Sequence, residues 1–134
     1  MKHNRLVETS ISILSVNDDG IGLMHFKDGV TVDIPEQMEH LNGIIELTDN
    51  HHTPFVVTAG NGVTFTKDAR ENALIVEDQS PVCASAIVVQ NLAYRLLAEF
   101  YIKIQKPKTP YKLFTSKEKA FEWCKQFVTA QTIK

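Results

Sequence analysis

Hydroxyl and amide side chains follow a glycine-rich segment in the middle of the chain, and these groups are the best candidates for chemistry. Gly60-Asn61-Gly62 precedes a predicted helix, whose first backbone N–H groups attract anions. The segment lacks the Gly-Lys-Ser/Thr ending of a phosphate-binding loop, so a plain turn remains the alternative. Thr64 and Thr66 are candidate phosphate acceptors. Thr66 equally suits an N-cap, which contributes about 1 kcal/mol to helix stability.

The histidines have structural explanations. His51-His52 has no cysteine or carboxylate at metal-ligand spacing, and adjacent side chains diverge in an extended chain. His40 is predicted to be exposed on a helix, where Glu36 lies four residues earlier and pairs with it. We therefore expect no metal site.

No order of residues in the chain predicts a catalytic nucleophile. Serine, histidine and acidic residues do not follow a hydrolase pattern, and no serine lies in a Gly-x-Ser-x-Gly turn. Cys83 and Cys124 fall on apolar stripes, so we expect buried, reduced thiols. The sequence thus predicts a protein that is not an enzyme, with no catalytic residue and no cofactor.

The composition is that of an ordinary globular domain. Of the 134 residues, 43% are hydrophobic and 22% are charged, and the formal net charge is −2. A nucleic-acid binder is expected to carry a strongly basic face, so this charge argues against one. No apolar run approaches the about 18–20 residues that span a bilayer, and the N-terminus lacks the apolar core of a signal peptide. These features predict a cytoplasmic protein with no membrane span.

Hydrophobic periodicity predicts a single α/β domain over residues 1–134, with the order β-β-α-β-α-β-α-β-α. The two N-terminal strands flank an Asn-Asp-Asp-Gly turn at residues 17–20, so they form an antiparallel hairpin with a free sheet edge. The later strands are each joined through one helix and are parallel.

Five strands and four helices make up this predicted domain, and we expect no internal repeat. Asp33 and Glu36 form a capping box at the first helix, and Thr115 and Glu118 form one at the last. The predicted strands are residues 10–16, 21–26, 54–59, 82–89 and 111–114, and the predicted helices begin at residues 33, 66, 91 and 115.

The C-terminal third carries the most particular sequence pattern. Residues 109–115 (Thr-Pro-Tyr-Lys-Leu-Phe-Thr) contain a strand that ends in phenylalanine, and residues 118–123 (Glu-Lys-Ala-Phe-Glu-Trp) place an Ala-x-x-Trp pattern on the next helix. With the strand 84–88, the helix start 91–95 and the order of elements, this ending is similar to a group of small bacterial STAS-like proteins of unknown role. The chain therefore resembles a STAS domain, the fold of anti-sigma-factor antagonists and of the cytoplasmic tail of sulfate transporters.

This resemblance implies a non-enzymatic regulatory or protein-interaction module, with a regulatory kinase or an anti-sigma-like factor as its partner. In the antagonists the kinase phosphorylates a serine or threonine of an Asp-Ser-x-Gly motif, at the helix start after the third strand. Residues 59–68 stand at this place and lack the motif. Thr64 and Thr66 are the hydroxyls nearby, and the charge of Asp68 repels an added phosphate.

The resemblance also implies where a partner docks, since the second helix is the usual docking side in that family. Asn61, Asp68 and Arg70 in or near this helix are candidate contact residues, and so are Tyr94 and Arg95 on the third helix. The alternative function is small apolar-ligand or lipid binding, because the STAS fold is distantly similar to Sec14-type lipid-exchange domains. That alternative requires a pocket between the third helix and the sheet. Homodimerisation through the free edge of the hairpin is a further hypothesis.

Overall fold

The computed structural model describes residues 5–89, 91, 95, 99 and 107–133, and strands and helices alternate along these ranges. The strands are β1 (Leu6–Glu8), β2 (Ser12–Val16), β3 (Gly22–Phe26), β4 (Thr31–Val32), β5 (Thr53–Ala59), β6 (Thr64–Phe65), β7 (Val82–Val88) and β8 (Tyr111–Phe114). The helices are α1 (Ile34–Thr48), α2 (Lys67–Gln79) and α3 (Lys117–Ile133). In this part of the chain no helix has the length and apolarity needed to cross a membrane.

Six strands form the main sheet in the order β1-β2-β3-β5-β7-β8. The pairs β1–β2 and β2–β3 are antiparallel, whereas β3, β5, β7 and β8 run parallel. The predicted α/β class with a mixed sheet and an N-terminal hairpin is therefore confirmed. Asn17 closes the hairpin turn, because its Oδ1 accepts hydrogen bonds from the backbone N–H groups of Asp19 and Ile21 at 2.9 and 3.0 Å.

Helices cover both faces of the main sheet. α1 packs against β1 and β2 on one face, and α3 packs against β5 and β7 on the other. Gly43 lets α1 approach β2 closely, since a Cβ at this position would stand 2.9 Å from Leu14 Cδ1. Burial of the two apolar clusters between helix and sheet is the main stabilising contribution. The cluster under α1 contains Ile11, Leu14, Met24, Phe26, Val32, Ile44, Leu47 and Phe55, and that under α3 contains Ile21, Val56, Ala86, Ala120 and Cys124.

The predicted count of five strands and four helices differs from the structure. β1, β4 and β6 are additional strands of only three, two and two residues, which is too short to show a periodic pattern. Because β1 pairs with β2, the sheet edge that was predicted on the hairpin belongs to β1 instead. The predicted helix 91–104 lies almost wholly outside the described residues.

The predicted helix caps are correct for α1 and α2 and wrong for α3. Asp33 and Glu36 form the capping box of α1. At α3 the cap is Ser116, whose Oγ accepts a hydrogen bond from the Lys119 backbone N–H at 3.3 Å. Thr115 is therefore not the cap, because the helix begins one residue later, and Lys119 stands where a capping box at Ser116 would need glutamate or glutamine.

Two short stretches of the chain follow the same course in the structure. The first segment, residues 28–33 (Asp-Gly-Val-Thr-Val-Asp), follows β3, and the second segment, residues 61–66 (Asn-Gly-Val-Thr-Phe-Thr), follows β5. Gly22 pairs with Phe55 and Thr31 pairs with Thr64, so 55 − 22 and 64 − 31 give the same offset of 33 positions. The glycines of both segments have positive φ, 70° and 76°.

Candidate functional site

The two segments lie side by side where β3 and β5 end. Their strands β4 and β6 form a separate parallel pair, with Val32 opposite Phe65. The backbone N–H groups of Thr64 and Thr66 donate to the carbonyl oxygens of Val30 and Val32, both at 3.0 Å. The carboxyl ends of parallel strands are where open α/β sheets bind their ligands. The surface formed by residues 28–33 and 61–66, the paired surface, is therefore the first candidate for a functional site.

A carboxylate joins the two turns that begin the segments. Asp28 Oδ1 accepts a hydrogen bond from the Asn61 backbone N–H at 2.9 Å, and the Asn61 carbonyl accepts one from the Gly29 N–H at 2.7 Å. Gly60 makes this approach possible, since a Cβ there would stand 2.0 Å from Asp28 Oδ1. Two short turns thus hold each other in place, and only glycine fits where they meet.

A hydroxyl–carboxylate contact joins the starts of α1 and α2. Asp33 caps α1, and its Oδ1 accepts hydrogen bonds from the Ile34 N–H at 2.9 Å and from Thr66 Oγ1 at 2.8 Å. Thr66 in turn caps α2, because its Oγ1 accepts from the Ala69 N–H at 3.1 Å. The Thr66 hydroxyl is used both as donor and as acceptor.

The structure distinguishes the two candidate phosphate acceptors. Thr66 is half-buried and its hydroxyl holds two structural hydrogen bonds. Thr64 is exposed, and its Oγ1 lies 3.2 Å from Thr31 Oγ1. A transferred phosphate at Thr64 displaces only a contact between two hydroxyls, so Thr64 is the more accessible acceptor.

The other predicted contact residues are distributed unevenly. Asn61 and Asp68 are exposed beside the paired surface, at the turn and in the first turn of α2. Arg70 is exposed too, and its Nη1 donates a hydrogen bond to the Phe65 carbonyl at 2.6 Å. The Arg70 side chain therefore lies along the outer edge of β6. Tyr94 lies outside the described residues.

Arg95 is separate from this group in the described structure. Its side chain is exposed and its Nε lies 3.4 Å from a Glu99 carboxylate oxygen, four residues later. An exposed pair of this kind stabilises a helix by only a few tenths of a kcal/mol, about 0.3 to 0.5. The partner surface predicted on the third helix thus rests on residues that, apart from Arg95, are not described.

A buried polar network that the sequence did not indicate joins β2 to α1. Ser12 Oγ lies 2.7 Å from His40 Nδ1 and 2.7 Å from Thr9 Oγ1. The rings of Phe26 and His40 stack with their centroids 4.9 Å apart. The prediction of an exposed His40 paired with Glu36 is therefore wrong, because His40 faces the sheet and Glu36 is part of the helix cap.

Burial sets the chemistry of this network. Desolvation lowers the pKa of His40 from 6.5 to about 4, so the imidazole is uncharged at neutral pH. A serine hydroxyl beside a neutral imidazole has the pairing of a nucleophile and its base. Ser12 is 0% exposed, however, so no substrate reaches it. Side chains two positions apart in a strand lie on the same face, so Ser12 shares the face of Leu14, which packs under α1. This spacing is the feature of the sequence from which the burial of Ser12 could have been inferred.

The remaining titratable candidates have structural roles. His51 Nδ1 lies 3.1 Å from the Thr48 carbonyl at the end of α1. Burial raises the pKa of the Cys83 thiol and raises that of Cys124 to about 12, so both free cysteines are protonated and unreactive at neutral pH. Over the described ranges, no group of three histidine, cysteine or acidic residues could hold a metal ion.

Two open grooves flank Arg5, at the opposite end of β3 from the paired surface. Their volumes are about 210 and 290 Å³. Leu6, Leu23 and Phe121 line the first, and Asn17 lines both. The apolar pocket expected between the third predicted helix and the sheet is a different place, and it falls outside the described residues.

The contact between Asp33 and Thr66 yields a test of the coupling between the two helix starts. We expect Asp33→Ala to lower the free energy of unfolding by about 2 kcal/mol and Thr66→Ala to lower it by about 1 kcal/mol. Each change removes a helix cap, and Asp33→Ala also leaves the Thr66 hydroxyl without its acceptor. The double variant is expected to lose about 1 kcal/mol less than the sum. Urea unfolding of the four proteins measures these values.

Thr66→Ser is the matched control, since it keeps the hydroxyl and is expected to remain within about 0.5 kcal/mol of the wild-type protein. Strictly additive losses from Asp33→Ala and Thr66→Ala would contradict a direct contact.

Comparison with known proteins identifies the family and leaves its activity open. No curated protein and no solved structure matches the chain. Residues 14–128 match a family described as a domain of unknown function, DUF7793. The match begins in β2 and ends in α3, so it includes both paired segments and the N-caps of α1, α2 and α3. Because this match covers most of the sequence, the chain belongs to the DUF7793 family.

Proposed function

We propose that this chain is a STAS-like, non-enzymatic regulatory or protein-interaction module, which binds a protein partner through the paired surface under phosphate control at Thr64. The observation that carries the proposal is the difference between the two hydroxyls. Thr64 is exposed at the carboxyl edge of the parallel strands, whereas the Thr66 hydroxyl is held between Asp33 and the start of α2. The partner has the character of a regulatory kinase or an anti-sigma-like factor.

The geometry of the paired surface supports a binding role over catalysis. Its exposed side chains are hydroxyl, amide and charged groups together with the Phe65 ring. They lie on short strands and turns that are joined to each other by hydrogen bonds. Ser12 and His40, which have the chemistry of a nucleophile and a base, are buried on the α1 side of the sheet. A preformed surface that is fixed by backbone hydrogen bonds loses little conformational entropy when a partner docks.

A phosphate at Thr64 changes the charge of this surface at its centre. The group adds a charge of about −1.5 to −2 at neutral pH and three strong acceptor oxygens. Thr64 lies two residues before Thr66, whose hydroxyl donates to the Asp33 carboxylate. We expect repulsion between the phosphate and nearby carboxylates such as Asp33 and Asp68, so that modification alters the surface a partner contacts.

The first experiment asks which hydroxyl takes up phosphate. The purified protein is incubated with source lysate and labelled ATP, together with Thr64→Ala, Thr66→Ala and Thr31→Ala. We expect the label in the wild-type, Thr66→Ala and Thr31→Ala proteins and its loss in Thr64→Ala. Thr31 is the matched control, because it is the exposed register partner of Thr64. Label that persists in Thr64→Ala, or no label in any protein, contradicts phosphate control at Thr64.

The second experiment tests the partner itself. A protein captured by the wild-type chain is identified and purified, and its affinity is measured for the Thr64→Glu and Thr31→Glu variants. We expect Thr64→Glu to change the dissociation constant at least about tenfold, about 1.4 kcal/mol, and Thr31→Glu to change it less. Equal affinity of all three proteins would place the partner on another surface.

A further inference from the structure

The chain contains two Asn-Gly dipeptides in different structural settings. Asn42-Gly43 lies in the interior of α1, and Asn61-Gly62 lies in the turn that opens the second segment. Glycine after asparagine leaves the backbone nitrogen unshielded, because it has no Cβ, and it allows the backbone rotations that ring closure needs. The two sites therefore share the same intrinsic chemistry, and only their conformations differ.

We propose that Asn61 is a site of spontaneous deamidation, which converts it to aspartate and isoaspartate in the folded protein, whereas Asn42 is protected. The Gly62 backbone nitrogen loses its proton and attacks Cγ of Asn61, a C–N bond forms, and the side-chain amide leaves as ammonia. Water then opens the cyclic imide at either carbonyl. One water enters and one ammonia leaves, so the conversion needs neither an oxidant nor a reductant.

The turn makes this attack accessible at Asn61. Its side chain is exposed, and Gly62 has a φ of 76°, so the dipeptide lies outside any helix and ahead of β6. Asn61 is held by bonds to Asp28 and Gly29, which lie within the two adjoining turns. Ring closure requires a change of the Asn61 backbone within this turn, and no apolar core has to open.

The helix prevents the same reaction at Asn42. The N–H groups in the interior of a helix donate to carbonyl groups four residues earlier, and this commits the Gly43 nitrogen. Gly43 is also buried, with Leu14 packed against it. At least one turn of α1 must unfold before the ring can close, and such opening is rare in a packed helix.

The two products differ in how they fit the second segment. The first segment already has an aspartate at the equivalent place, Asp28, followed by Gly29 with a φ of 70°. An aspartate at position 61 therefore suits the same turn, although it adds charge beside the Asp28 carboxylate. Isoaspartate lengthens the backbone by one carbon and breaks the register that pairs β6 with β4. Either product puts a negative charge on the paired surface.

The experiment compares the two dipeptides in one sample. The folded protein is incubated at mildly alkaline pH and digested after glutamate, which separates residues 40–46 from residues 47–71. We expect the peptide 47–71 to gain the mass of an amide-to-acid conversion at Asn61, and to divide into aspartate and isoaspartate forms. Its rate is expected to be at least about tenfold that of the peptide 40–46, because helix opening limits the latter.

Two controls make the outcome decisive. In denaturant both peptides are expected to convert, and Asn61→Gln is expected to remove the fast conversion without changing the backbone contacts. Equal rates at Asn42 and Asn61 in the folded protein would overturn the inference. Conversion of both sites only in denaturant would overturn it too, since that result would mean that the folded turn protects Asn61 as well as the helix protects Asn42. The inference is independent of the proposed function, which the phosphate experiment tests separately.

Discussion

Acidification from neutral pH to a pH of about 4 is expected to remove about 3 kcal/mol of folding free energy through His40. Burial lowers the folded-state pKa of this histidine to about 4, whereas the unfolded value is 6.5. Between these values the unfolded state binds more protons, so stability rises with pH. The contribution is complete above the unfolded pKa and is lost as the pH falls toward the folded pKa. Urea unfolding at a series of pH values measures it.

His40→Gln is the control for this pH dependence, because a glutamine oxygen can still accept a hydrogen bond from Ser12 Oγ but does not titrate. We expect this variant to be less stable at neutral pH, since it loses the stack on Phe26, and to show a flatter profile between pH 6.5 and about 4. Glu39 also favours the folded state at higher pH, because hydrogen bonds from Ser10 lower its pKa. Both proteins retain that contribution. Parallel profiles would contradict the assignment to His40.

Gly22→Ala is expected to destabilise the protein by about 3 kcal/mol. Gly22 is the register partner of Phe55 in the neighbouring parallel strand, and a Cβ there would stand 2.4 Å from the Phe55 ring. Phe55 is 0% exposed in the middle of the sheet, so its ring has no free space to enter. The strand must move or the ring must leave its rotamer. The urea midpoint measures the loss, and an unchanged slope confirms that both states keep their compactness.

Phe55→Leu supplies the matching half of a double-mutant cycle. This change alone is expected to cost about 1 to 2 kcal/mol by leaving space in the core. In its background the added methyl of Gly22→Ala enters that space, so the second change is expected to cost at least about 1 kcal/mol less than in the wild-type protein. If Gly22→Ala remained within about 0.5 kcal/mol of the wild-type protein, the sheet would be more adaptable at this point than its packing indicates.

Local signals in the sequence predicted those parts of the fold whose causes are local. The turn at residues 17–20 and the capping box of Asp33 and Glu36 involve groups within a few positions of one another, and both are present. Alternating hydrophobicity in the N-terminal hairpin likewise predicted β2 and β3, and short continuous apolar runs predicted β5 and β7. The mixed sheet follows from these elements and from the connections between them.

Features that depend on pairing between residues far apart in the chain were not predicted from the sequence. β4 and β6 are strands only because Thr31 and Thr64, 33 positions apart, are brought together. The repeated Gly-Val-Thr at residues 29–31 and 62–64 is visible in the sequence, but three residues are too few to indicate a repeat without the pairing. His40 was misassigned for the same reason, since its burial depends on which face of β2 presents Ser12.

The candidate site was predicted in part. Asn61, Thr64 and Thr66 were chosen because hydroxyl and amide groups follow glycines before a helix, and they do lie on one surface. The sequence did not separate Thr64 from Thr66, because the bond from Thr66 to Asp33 spans two helix starts. Only the three-dimensional arrangement makes one hydroxyl structural and leaves the other exposed.

Paired residues of the two segments are always 33 positions apart, and this constant offset restricts insertions and deletions as well as substitutions. One inserted residue in either segment shifts every later pair, exchanges the two faces of β4 or β6, and moves Thr66 away from Asp33. Among the described residues, no second turn is paired with the turn at residues 17–20 in this way, so this turn can lengthen alone. Viable variants of this protein should therefore differ in length at the hairpin turn, and should change length in the segments only when both change together.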